Sequence, residues 1–69
     1  MSNTRIRDLR KSQNMTQIEL ADRLNVKPPA VYKWESDRNY PSVTMAIKLA
    51  DVFGCSLDYL LCRDTSSGG

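Results

Sequence analysis

The chain has 69 residues, enough for one small domain, and a chain of that size buries only about 60% of the surface it exposes when unfolded. With a net charge of +2, no histidine and only two cysteines, Cys55 and Cys62, it cannot fill a four-ligand zinc site by itself and offers no imidazole for base catalysis. No run approaches the roughly 18 apolar residues of a membrane span, and the N-terminus MSNTRIRDLRK lacks the apolar core of a signal peptide, so the expected location is the cytoplasm, where thiols stay reduced.

Residues 4–13, TRIRDLRKSQ, predict a first helix capped by Asn3. Ile6 and Leu9 mark its buried stripe, Arg10 sits at the stripe's edge, and Arg5, Arg7 and Lys11 face outward. Thr16 followed by Glu19 is a capping box, which starts a second helix at Gln17. On it Gln17, Leu20, Ala21 and Leu24 share one face, while Glu19, Asp22 and Arg23 point away. Asn25 tolerates the left-handed conformation that ends this helix and reverses the chain, and Val26 plugs the corner.

Pro28 and Pro29 stand where a third helix begins, because the first helical amides have no intrahelical partner to lose. Val31, Trp34 and Glu35 fall on its inner side; Pro29, Tyr32, Lys33 and Ser36 fall on the other at i, i+3, i+4, i+7. The loop SDRNYPSV follows, rich in turn formers, with Tyr40 extended before its proline. Ser42 caps a fourth helix, VTMAIKLADVF, which is apolar except for a stripe of Thr44, Lys48 and Asp51 and is expected to be covered by the others. Gly54 ends it. Ser56 caps a last short helix, LDYLL. Met15, Trp34 and Phe53 are read as core residues on helical stripes. Residues 1–63 then form the domain, and residues 64–69 a flexible, Ser- and Gly-rich tail.

TQIELADRLNV, the WES end of the third helix, YPSVTMAIKLADVFG and CSLDYLL together resemble the helix-turn-helix domain of the phage repressor and Cro family, also called the XRE family. The resemblance spans residues 5 to 61. It implies an all-α, compact five-helix domain with the helix-turn-helix at helices 2 and 3, and DNA binding through the third helix. A homodimer on a two-fold operator is implied as well. The family also places an ion pair at the positions of Arg10 and Glu35. A buried guanidinium and a buried carboxylate are each costly alone and tolerable as a bidentate pair, so these two are expected to meet.

Double-stranded DNA asks for two kinds of contact. Phosphate contacts fix the pose, and Gln17, at the first turn of its helix, matches the family's phosphate-contacting glutamine. Arg38 and Asn39, just beyond the third helix, suit the backbone across the groove. Base contacts fall to Lys27, Pro28, Pro29, Tyr32, Lys33 and Ser36, with Lys33 the best donor toward guanine O6 and N7. Relatives often carry Gln, Ser or Arg where this chain has Pro28 and Pro29, and two prolines remove both side-chain hydrogen bonds and two backbone donors. What they offer is a stiff apolar surface for a thymine methyl. Residues 1–40 hold eight Lys or Arg against five Asp or Glu, and residues 41–69 hold two against three, so the motif lies in the basic half.

The expected function is a sequence-specific transcriptional regulator, a repressor, with the C-terminal helix and its Leu57, Leu60 and Leu61 at the dimer surface, some of those leucines being needed to complete the monomer core. The competing reading is a protein-interaction module, antitoxin-like or coactivator-like, that keeps the fold without specific DNA binding. No enzyme is expected: no glycine-rich phosphate loop occurs, and the serines lie in caps or the tail. No cofactor, metal or small-molecule ligand is implied.

Overall fold

The structure is a computed structural model and describes residues 4–63. Its five helices are α1 (Ile6–Ser12), α2 (Gln17–Leu24), α3 (Pro28–Glu35), α4 (Val43–Phe53) and α5 (Leu57–Leu60), and no strand occurs among the described residues.

Local chemistry starts most of these helices. At α2 the Thr16 hydroxyl accepts from the Glu19 amide at 3.0 Å and the Glu19 carboxylate accepts from the Thr16 amide at 2.8 Å, so two orphan donors satisfy one another reciprocally. Ser42 and Ser56 cap α4 and α5 with one bond each, accepting from the Met45 and Tyr59 amides at 3.2 and 3.0 Å. α3 has no side-chain cap; its first two positions are prolines, which have no amide hydrogen to leave unpaired.

One kind of stop ends all five. Asn14, Asn25, Asp37, Gly54 and Cys62 take φ values of 57°, 59°, 59°, 71° and 59°, in the left-handed region. In each case the next residue's N–H returns to the carbonyl five positions back. The bonds are Met15 to Arg10 at 3.0 Å, Val26 to Ala21 at 2.9 Å, Arg38 to Lys33 at 2.9 Å, Cys55 to Ala50 at 3.0 Å and Arg63 to Asp58 at 2.8 Å. This closure satisfies carbonyls that the helix leaves without partners and turns the chain sharply toward the next element.

Ile6, Leu20, Val31, Leu49 and Leu60 form the fully buried centre of the core, one from each helix in turn. Trp34, Phe53 and Met15 close around them. Met15 is therefore a core residue, but it lies in the turn between α1 and α2 and not on a helix.

The structure corrects four sequence expectations. α1 begins at Ile6, with Arg5 as its cap residue and no side-chain cap bond; Asn3, the expected cap, lies outside the described residues. Arg5 does not face outward freely. Its amide donates to the Leu60 carbonyl at 2.8 Å, its guanidinium to the Tyr59 carbonyl at 2.6 Å, and its Cζ stands 4.1 Å from the centre of the Tyr59 ring. α4 is not covered all round: Ala46, Leu49, Ala50 and Phe53 are buried, but Val43 and Ile47 are 73% and 48% exposed. α5, only four residues long, is too short to shield more of it. That last helix also stops at Leu60, leaving Leu61 as its cap. Residues 64–69, read from the sequence as a tail, fall outside the described residues.

Candidate nucleic-acid interface

α2 and α3 are joined by the left-handed Asn25 and the corner residue Val26, which is half-buried against the core. That junction fixes which side of α3 turns inward. Val31 is fully buried and Trp34 is 7% exposed, while Pro28, Pro29, Tyr32, Lys33 and Ser36 are all exposed. The double proline, an aromatic hydroxyl and a cation thus share a solvent-facing strip of one helix, in the orientation that the spacing of the sequence calls for.

The polar edge of α3 is anchored by a buried ion pair. Arg10 reaches from α1 and donates Nε to Glu35 Oε2 at 2.6 Å and Nη2 to Glu35 Oε1 at 3.0 Å, a bidentate match of fork to carboxylate. Their side chains are only 10% and 5% exposed. Arg10 Nη1 donates to the Met15 carbonyl at 2.8 Å, so the same guanidinium also holds the turn before α2. The hydrogen bonding of the guanidinium to Glu35 raises the Arg10 pKa above its ordinary value, against the opposing effect of burial and with the help of the carboxylate's charge. No buried side-chain polar atom among the described residues lacks a partner.

Gln17 sits at the first position of α2, half-buried, and is not the independent polar residue that its position alone suggests. Its Nε2 donates to Glu35 Oε1 at 3.0 Å, the oxygen that Arg10 Nη2 also holds. Glu35 is the participant that the sequence did not connect to Gln17, and a separation of 18 positions along the chain leaves no periodic signal for it. Ser36 is the other difference. Its hydroxyl donates back to the Tyr32 carbonyl at 2.8 Å, with the Lys33 carbonyl at 3.4 Å, so its proton is spent on its own helix. Only its oxygen lone pairs remain for an outside partner.

Lys27 is exposed at the cap position of α3, and the Ala30 amide turns back to the Lys27 carbonyl at 3.0 Å. With Pro28 and Pro29 lacking amide hydrogens and Ala30 so engaged, the leading turn of α3 presents an apolar surface without outward backbone donors. Arg38 and Asn39 wrap its other end, each donating its backbone amide to the Lys33 carbonyl, at 2.9 and 3.3 Å, with both side chains exposed. Lys27, Lys33 and Arg38 are thus exposed cations in α3 and just beyond its two ends.

Among the described residues no group of ligating side chains could hold a metal ion, and no helix is long and apolar enough to cross a membrane. Cys55 and Cys62 are both free thiols, half-buried.

A family model described as helix-turn-helix matches residues 6–60. The chain is 36% identical over 59 residues to the transcriptional activator BcrR of Enterococcus faecalis, covering 86% of this chain but only 29% of that protein. It is also 36% identical over 61 residues to an uncharacterized helix-turn-helix-type transcriptional regulator of Archaeoglobus fulgidus, covering 88% of this chain and 86% of that one. Among solved structures it resembles the P22 c2 repressor in complex with a synthetic operator, at a TM-score of 0.81 and 33% identity, over 87% of this chain and 91% of the repressor chain. On these grounds the chain belongs to the helix-turn-helix family, of the phage repressor and Cro type.

Proposed function

We propose that this chain is a sequence-specific DNA-binding transcriptional regulator that lays α3 in the major groove of a two-fold operator. The observation that carries this reading is the division of α3: one side is spent on the core and on the Arg10 ion pair, while Pro29, Tyr32 and Lys33 stand in solvent with no packing role. A helix entering the groove needs that division, since the side chains that read bases cannot also hold the fold. Lys33 donates to guanine O6 and N7, Pro29 meets a thymine methyl, and Tyr32 bonds a phosphate or a base edge. Lys27 and Pro28 flank them, and Ser36 serves only as an acceptor. Gln17 and the start of α2 hold a phosphate on one side of the groove, and Arg38 and Asn39 hold the backbone on the other. A repressor would act by occupying the operator.

One such helix spans too few base pairs for strong selectivity, so the working form is a homodimer with half-sites about 34 Å apart. Leu60 is fully buried in the monomer and is withdrawn from the dimer surface. Leu57 and Leu61 of α5 are half-buried, and the exposed Val43 and Ile47 of α4 add apolar surface that two copies could share.

Selection of bound sites from a random DNA pool tests the whole reading. It should return a palindrome whose half-site contains a guanine, and Lys33→Ala should weaken binding roughly tenfold and relax selection at that base. A pool that shows no enrichment would sink the proposal.

The donor-free start of α3 favours one other reading, a protein-interaction module on this fold. Salt titration on random duplex DNA separates the two. A DNA binder loses affinity steeply as salt rises, with a log–log slope near −0.9 for each phosphate neutralised, and an interaction module shows no such slope.

A further inference from the structure

Outside the face of α3, the feature that the regulator reading leaves unused is the shared oxygen of Glu35. From the position of Gln17 against it, we infer that Glu35 is the positioning residue for the phosphate contact at the start of α2, acting through the Gln17 side chain. The inference rests on the DNA-binding reading above and adds a residue that never touches DNA.

Glu35 Oε1 accepts both Gln17 Nε2 and Arg10 Nη2, each at 3.0 Å. An ionised carboxylate only accepts, so the Gln17 amide has one allowed orientation there: nitrogen toward Glu35, carbonyl oxygen away. A flipped amide would set two acceptors against each other. The remaining N–H of Gln17 is then the one donor its side chain can give a phosphate, with its nitrogen pinned from behind. Holding a side chain in its bound geometry beforehand reduces the rotamer entropy lost on binding.

Arg10 makes the arrangement compatible with an anion. A carboxylate near a phosphate is repulsive unless its charge is balanced, and the bidentate guanidinium, with both side chains almost fully out of solvent, balances it at contact distance. Arg10 Nη1 also holds the Met15 carbonyl at 2.8 Å, one residue before the Thr16 cap, so the start of α2 and the Gln17 amide are located by one cation.

The test is a double-mutant cycle on binding to a 20-bp duplex of random sequence at low salt, followed by fluorescence polarisation. Gln17→Ala should weaken binding about tenfold, the scale of one hydrogen bond to a charged group. Glu35→Gln strands the buried Arg10 charge, a loss of stability that would itself be read as lost binding, so the pair is removed together as Arg10→Met/Glu35→Met, which keeps the site filled and should weaken binding by a similar factor. On that background Gln17→Ala should no longer matter. The side-chain amide protons of Gln17 should be resolved and protected from exchange in the parent protein, and lose that protection in the paired variant. The inference is overturned if Gln17→Ala still costs tenfold on the paired background, or if it costs nothing in the parent protein. A parent protein that binds no duplex at all would instead overturn the function on which the inference stands.

Discussion

Asn25, Gly54 and Cys62 do the same conformational work with different side chains, and the difference predicts stability. Left-handed backbone costs most residues about 1–2 kcal/mol, asparagine less, and glycine nothing. Gly54 at φ 71° has nothing within 4 Å of where a Cβ would sit, so Gly54→Ala introduces backbone strain without a clash. It should lower stability by about 1 kcal/mol, a drop of roughly 4–8 °C in melting temperature for a domain of this size. Cys62→Gly should move the other way by up to about 1 kcal/mol, since it relieves the same strain at φ 59°. Thermal melts of the two variants check both signs, and a destabilised Cys62→Gly would mean that the thiol's packing outweighs the backbone. At the same scale, Pro29→Ala and an operator with uracil for thymine should each cost a few-fold in affinity, about the worth of one buried methyl. Unchanged binding in both would remove Pro29 from the reading face.

α4 shows where residue patterns stop and packing takes over. Its apolar residues read as a helix needing cover on every side, but composition cannot say how much neighbour the chain provides. With only one turn in α5, the cover runs out, and Val43 and Ile47, four residues apart, stay in solvent. Replacing both with Glu should leave the melting temperature within about 2–4 °C, because exposed positions contribute little to the monomer. The same change should weaken the cooperative binding of two copies to a two-fold operator, read as a shift from doubly to singly occupied DNA in a gel. Full cooperativity in that variant would move the dimer contact elsewhere. Caps behaved differently from faces. Thr16, Ser42, Ser56, Asn25 and Gly54 were legible because each acts within a few residues of itself. The start of α1 was not, since Arg5 is held by contacts to Tyr59 and Leu60, more than fifty residues away. The Gln17 bond to Glu35 was hidden for the same reason. The orientation of α3 was legible because Val31 and Trp34 are large and apolar at helical spacing, whereas the hydroxyl of Ser36 turning onto its own helix depends on a rotamer that no pattern encodes.

For the molecule as a whole, one ion pair links three helices. Arg10 belongs to α1, Glu35 to α3, and the guanidinium also holds the carbonyl of Met15 ahead of α2. Removing one partner strands a buried charge, at a cost of about 3–5 kcal/mol. A chain of this length is expected to hold only about 3–10 kcal/mol in total. Arg10→Met should therefore lose about 3–5 kcal/mol, a large share of that total, while Arg10→Met/Glu35→Met should recover most of it. Urea titrations followed by the fluorescence of Trp34 measure both. If the single variant is as stable as the double, the pair carries no such weight.

The clasp of Arg5 on Tyr59 and Leu60 brings the first and last described helices to one spot. Several relatives are much longer than this chain, so extra modules attached to such a fold are an ordinary circumstance. Whether fused ahead of the first helix or behind the last, such a module would emerge from the same corner. Tension or rotation applied there would act first on the stacked arginine and tyrosine, leaving the exposed face of α3 to respond only through the core between them.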